Sequence, residues 1–123
     1  MAKTCEVTIN GVVYVPKDDA EKARALSVNG MEYCIVRSDR AGVFAGYIAS
    51  RDGAEVVMRE ARRLWFWDGA ASLSQLSQEG VKAPQSCKFP VAVPEQTILG
   101  VIEVLPCTEA ARQSIAAVKI WTR

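Results

Sequence analysis

Ala61-Arg62-Arg63-Leu64-Trp65-Phe66-Trp67-Asp68-Gly69-Ala70-Ala71-Ser72-Leu73-Ser74-Gln75-Leu76 is the stretch around which the chain is organised. Its first half continues a β-strand that starts near Glu55 and is expected to run to Trp67. On a regular strand, period two sets Arg63, Trp65 and Trp67 on one face and Arg62, Leu64 and Phe66 on the other. Asp68-Gly69 turns the chain. Ser72-Leu73-Ser74-Gln75 then has the form of a capping box, in which the Ser72 hydroxyl accepts from the Gln75 amide and the Gln75 side chain reaches back to the Ser72 amide. A two-turn helix is expected to end at Gly80, where a left-handed cap fits. Leu64, Phe66, Leu73 and Leu76 read as packing. Arg62 or Arg63 and the tryptophan face read as a surface turned towards a partner or a ligand. The bland alternative, tryptophans packed beneath the helix, fits the usual burial of indole rings.

Upstream, Tyr33-Cys34-Ile35-Val36-Arg37 alternates, with Tyr33, Ile35 and Arg37 on one face and Cys34 and Val36 on the other. A second strand, Val43 to Ala49, follows, and Gly42 and Gly46 suit a bulge or a close backbone approach. Arg51-Asp52-Gly53-Ala54 makes a tight turn, with Asp-Gly suited to type I′ geometry. Three strands with short links predict an antiparallel meander. Nearer the N-terminus, Glu6 to Val15 around Asn10-Gly11 reads as a hairpin, and Asp18 to Leu26 as a short helix or helical linker.

Downstream, Cys87 to Val93 is expected as an edge strand, because Pro90 lacks an amide donor. Gln96 to Leu105 is nearly continuous Ile, Leu and Val, which predicts one strand buried on both faces at the sheet centre. Thr108 caps a last helix, Glu109 to Val118, with Ala111, Ile115 and Val118 on its inner face. Ile120-Trp121 is read as folding back onto the sheet. The fold class is therefore α+β: an antiparallel sheet of about five to six strands with two or three short helices. Residues 1–30 form an N-terminal hairpin and short helix or linker, and residues 31–123 a single α+β domain.

Composition narrows the function. The 123 residues carry 15 Lys and Arg against 14 Asp and Glu, so a net charge of +1 sets up no global field for nucleic acid or membrane. The N-terminus lacks the apolar core of a signal peptide, and the longest apolar runs are too short to span a bilayer. Cytoplasmic residence is expected. The four cysteines, Cys5, Cys34, Cys87 and Cys107, form no Cys-x-x-Cys pair and read as buried thiols. There is no histidine, so neither a mixed Cys/His metal site nor a His-based catalytic set can be built. No metal, no cofactor and no enzymatic activity are expected.

Tyr33-Cys34-Ile35-Val36-Arg37, Ala41-Gly42-Val43-Phe44-Ala45-Gly46-Tyr47, the Ala61–Leu76 block and Cys87-Lys88-Phe89-Pro90 together resemble a family of small phage and prophage proteins. The resemblance runs from about Glu32 to Trp121. The layout is similar to the Thoeris anti-defence sponges, phage proteins that sequester cyclic ADP-ribose signals, some of which also bind cyclic oligonucleotides. That resemblance implies a phage immune-evasion protein in the cytoplasm of the infected host, with a cyclic nucleotide signal as its partner. It also implies a homo-oligomer, dimer to hexamer, and an adenine- and phosphate-bearing ligand held by an aromatic ring and arginines. No DNA and no membrane partner is expected. Candidate ligand-binding residues are Arg37, Arg62, Arg63, Phe89 and Arg112, with Arg40 a further candidate arginine. Guanidinium groups suit pyrophosphate through paired hydrogen bonds, and an aromatic face suits adenine. The rival readings are an inhibitor that binds a host defence enzyme and a virion or assembly component.

Overall fold

In the computed structural model, residues 7–9, 12–14 and 23–122 are described. Strands β1 (Val7–Ile9) and β2 (Val12–Tyr14) pair antiparallel with Ile9 opposite Val12, the hairpin expected around Asn10-Gly11. Most of the helix expected from Asp18 lies outside the described residues. Its last part, residues 23–26, is extended: the Ala25 amide donates to the Cys107 carbonyl at 3.0 Å, and the Ala23 carbonyl accepts from the Glu109 amide at 2.8 Å.

The main sheet is antiparallel and the class is α+β. Its strands are β3 (Glu32–Ser38), β4 (Gly42–Asp52), β5 (Glu55–Arg63), β6 (Val93–Ile98) and β7 (Val101–Pro106), in the order β6-β5-β4-β3-β7. The three-strand meander is as expected. The single central strand from Gln96 to Leu105 is not: Leu99-Gly100 breaks it, with Gly100 at φ 69°, and its halves pair with opposite edges of the sheet. A run of Ile, Leu and Val signals burial but carries no information about where the chain turns.

That break has a geometric consequence. In a flat sheet the outer strands of five would stand about 19 Å apart, farther than two residues can reach. The sheet therefore curls into a partly open barrel, closed at one end by the Leu99-Gly100 turn. Three hydrogen bonds fasten the closure. The Asp39 amide donates to the Gly100 carbonyl (3.0 Å), the Val101 amide to Ala54 (2.9 Å), and the Ser38 hydroxyl to Leu99 (2.7 Å). Val36, Phe44, Val56, Met58, Ala61, Ile98 and Val101 fill the inside of the curl.

The outer face carries the second core. Helices α1 (Leu73–Glu79) and α2 (Glu109–Ala117) cover Tyr33, Ile35, Ala45, Leu64 and Phe89 with Leu76, Ala111, Ile115 and Val118. Ser72 caps α1 by accepting from the Gln75 amide at 3.2 Å. The reciprocal arm goes elsewhere, since Gln75 Oε1 accepts from the Ala71 amide at 2.8 Å. Gly80 ends α1 at φ 75°, and Thr108 caps α2 by accepting from the Ala111 amide at 3.1 Å. The expected strand from Cys87 reduces to isolated bridges, Lys88 with Phe66 and Phe89 with Ile120. Through the latter, and the Trp121 amide donating to the Phe89 carbonyl at 3.0 Å, the tail folds back as expected.

Candidate functional site

The site is set by an irregularity in β5. Tyr47 pairs with Arg59 and Ala45 with Arg62, so Glu60 and Ala61 together face the single residue Gly46. This is a β-bulge. Glu60 takes a left-handed backbone, φ 54°. Gly46 is required opposite it, because a Cβ there would lie 2.9 Å from the carbonyl oxygens of both Arg59 and Glu60. The extra residue reverses the alternation of the strand. Val56 and Met58 face the inside of the barrel; after the bulge Ala61 takes that side, and Arg62 swings to the helix-covered face. On a regular strand Arg62 would have shared the face of Met58.

Arg62 is 8% exposed, and its guanidinium is spent on backbone carbonyls. Nε donates to Pro90 (2.9 Å), Nη1 to Ile115 (2.8 Å), and Nη2 to Phe89 (3.1 Å) and Val118 (2.7 Å). Two of these acceptors belong to the C-terminal end of α2, where unpaired carbonyls and the negative end of the helix dipole favour a cation. No carboxylate pairs with Arg62 among the described contacts, and burial pulls its pKa down from the usual arginine value, with Tyr33 opposing.

The other candidates separate. Arg63 bonds the Ala41 carbonyl and lies 4.4 Å over the Phe44 ring, half-buried on the barrel side. Neither adjacent arginine thus turns outward from the strand, which ends at Arg63 rather than at Trp67. Phe89 is wholly buried beneath Arg62, so its ring offers no face for a ligand to stack upon. This corrects its reading as an aromatic on an edge. Arg37 is exposed on β3 and pairs with Glu103 at 3.1 Å, remote in register from the bulge. Trp67 packs against the outer core, whereas Trp65 is 64% and Phe66 49% exposed, which also corrects the reading of Phe66 as core.

Arg62 and Arg112 come together. They line a concavity of about 320 Å³ with Tyr33, Tyr47, Glu60, Ala92, Ala116, Val118 and Ile120. Tyr33 and Tyr47, facing each other across β3 and β4, meet edge to face with ring centroids 5.0 Å apart. Burial raises the Tyr33 phenol above its usual pKa, so it remains a neutral donor. Arg112 is held by Glu109 through Nε (3.0 Å) and Nη2 (2.6 Å), which leaves its Nη1 edge for another acceptor. Hydrogen bonds from Arg112 and Gln113 hold the Glu109 carboxyl down at about 2. A larger hollow, about 610 Å³, lies beside the Leu99-Gly100 turn, between Asp39-Arg40-Ala41 and Gln96 to Gly100. It presents one arginine, beside a carboxylate, and no aromatic ring. The smaller concavity is the better-equipped site.

A family assignment fits the extent of this fold. Residues 31–115, from just before β3 into α2, match the description of a domain of unknown function, DUF6948. The chain belongs to that family. No curated protein and no solved structure matches it. Of the residues lining the concavity in this DUF6948 member, Arg62 and Arg112 were singled out from the sequence, whereas Tyr33, Tyr47 and Glu60 were not. The usable signal was Gly46, a glycine in mid-strand that suits a bulge and so a change of face. The reactivity of the thiols is also settled by packing. Cys34, Cys87 and Cys107 are buried and unpaired, and burial pushes Cys34 up to about 11 and Cys107 up to about 12. Among the described residues no helix is long and apolar enough to cross a membrane.

Proposed function

We propose that this DUF6948 protein is a non-catalytic binder that sequesters a cyclic nucleotide immune signal, a cyclic ADP-ribose isomer or a cyclic oligonucleotide, during phage infection. The observation that carries the reading is the concavity that brings two guanidinium groups and two phenol rings together, one guanidinium being buried and paired with no carboxylate among the described contacts. Four of the five Arg62 N–H groups are committed to carbonyls, so its buried charge adds to the positive potential of the concavity rather than supplying the direct bonds to an anion. The Nη1 edge of Arg112 and the Tyr47 hydroxyl add donors for phosphate oxygens. The sequence resemblance to anti-defence sponges supports the same ligand class. The volume, about 320 Å³, lies at the small end for ligand pockets, so a second copy of the chain completing the outer wall suits a cyclic ADP-ribose isomer.

Isothermal titration against cyclic ADP-ribose isomers and cyclic di- and trinucleotides tests this. Binding of at least one, weakened about tenfold or more by Arg112→Ala, is the expected result. No heat and no thermal shift with any of them overturns the proposal. A second reading, an inhibitor that docks on a host defence enzyme, draws on the exposure of Trp65 and Phe66, since such rings are enriched in interface centres. It predicts a co-purifying host protein whose capture is abolished by Trp65→Ala.

A further inference from the structure

Glu60 lines the same concavity as Arg62, Arg112 and the two tyrosines. Its carboxylate makes no hydrogen bond and no ion pair among the described contacts, although cations stand close by in sequence and space. Arg59 turns to Glu95 at 2.9 Å, and Arg112 to Glu109. Glu60 also occupies the bulge position whose backbone is left-handed at φ 54°, a conformation glycine adopts freely and a long side chain does not. Bulge geometry explains the conformation but not why glutamate stands in it. Strain retained at the rim of a cavity is a reason to ask what the side chain does.

We infer that Glu60 is a ligand-contacting residue that selects for a ribose, its carboxylate accepting hydrogen bonds from the vicinal hydroxyls. This rests on the reading of the concavity as a nucleotide site. A carboxylate accepts and cannot donate, so its partner must be a donor, and two adjacent hydroxyls match its two oxygens. It also repels phosphate. The lining thereby combines two anion-attracting groups, Arg62 and Arg112, with one accepting group, Glu60, and a ligand that carries both a phosphate and a diol fits that combination.

The test is titration calorimetry of the wild-type chain, Glu60→Gln and Glu60→Gly with cyclic ADP-ribose, AMP and 2′-deoxy-AMP, together with melting temperatures. The wild type should bind AMP about tenfold more tightly than 2′-deoxy-AMP, and both variants should bring that ratio close to one. Glu60→Gly should also melt a few degrees higher, because it relieves the left-handed backbone; it thereby guards against a trivial folding defect. If neither these three ligands nor a cyclic di- or trinucleotide binds the wild type, the nucleotide reading of the concavity falls and this inference with it; if only the cyclic oligonucleotides bind, this inference alone is overturned. If ribonucleotides bind but the variants keep the wild-type ratio, only the role of Glu60 is overturned. A lower melting temperature for Glu60→Gly removes the argument from strain.

Discussion

Arg62 illustrates how little a residue type says about its use. A cation next to another cation reads as a surface patch, yet this one holds the end of α2 to the segment at Phe89 and Pro90 through four carbonyls. Arg62→Ala leaves those acceptors without their donor and should cost about 3 kcal/mol, read as a lower urea midpoint. Arg62→Lys should restore less than half of the loss, since one ammonium cannot span acceptors on two segments. Glu109 makes a pH prediction. Its folded pKa, about 2, lies below the ordinary 4.5, so its contribution is complete above about pH 4.5 and disappears as pH falls towards 2. The wild type should therefore lose more stability than Glu109→Gln across that interval, measured by thermal melts at matched ionic strength. The pair is partly exposed, so the difference should be modest.

Among the elements, both helices were legible because their ends are encoded locally. Ser72, Gly80 and Thr108 satisfy specific orphan amides or supply a specific backbone angle, and each stands where expected. The strand β5 was legible only up to its bulge. Period two carried through Glu60 would set Arg62 on the side of Val56 and Met58, whereas the bulge gives that side to Ala61. Gly46→Ala tests the device. Its new Cβ cannot avoid the Arg59 and Glu60 carbonyls without moving β5, and a loss of about 2 kcal/mol is expected. Affinity for the nucleotide ligand proposed above should fall as well, because Glu60 and Arg62 lie on either side of the displaced segment. An unchanged urea midpoint would show that the bulge does not depend on the glycine. The hairpin after β4 shows a smaller slip of the same kind. Asp52 pairs with Glu55, so the loop is Gly53-Ala54 rather than Asp52-Gly53.

Across the whole molecule, two cores lie on opposite faces of one curled sheet, and the thiols report on their integrity. With Cys5→Ser as background, Cys34, Cys87 and Cys107 should react with a disulfide probe only as fast as the protein opens, and at once in denaturant, because all three are buried. Rapid reaction of any of them in the native protein would contradict the packing described. The sequence by itself determined the class, the meander, the caps and the faces of β3 and α2, since alternation, helical period and capping act within a few residues. Tertiary structure alone decided that Gln96 to Leu105 is two strands on opposite edges. It also turned Arg62 inward and brought Arg112, Glu60 and the tyrosines to one concavity. Those outcomes depend on sheet curl and on which backbone groups lack partners once the layers meet. The Ala61–Leu76 stretch spans both kinds of information: its helix start is local, whereas the destination of its arginines was fixed by one extra residue opposite Gly46.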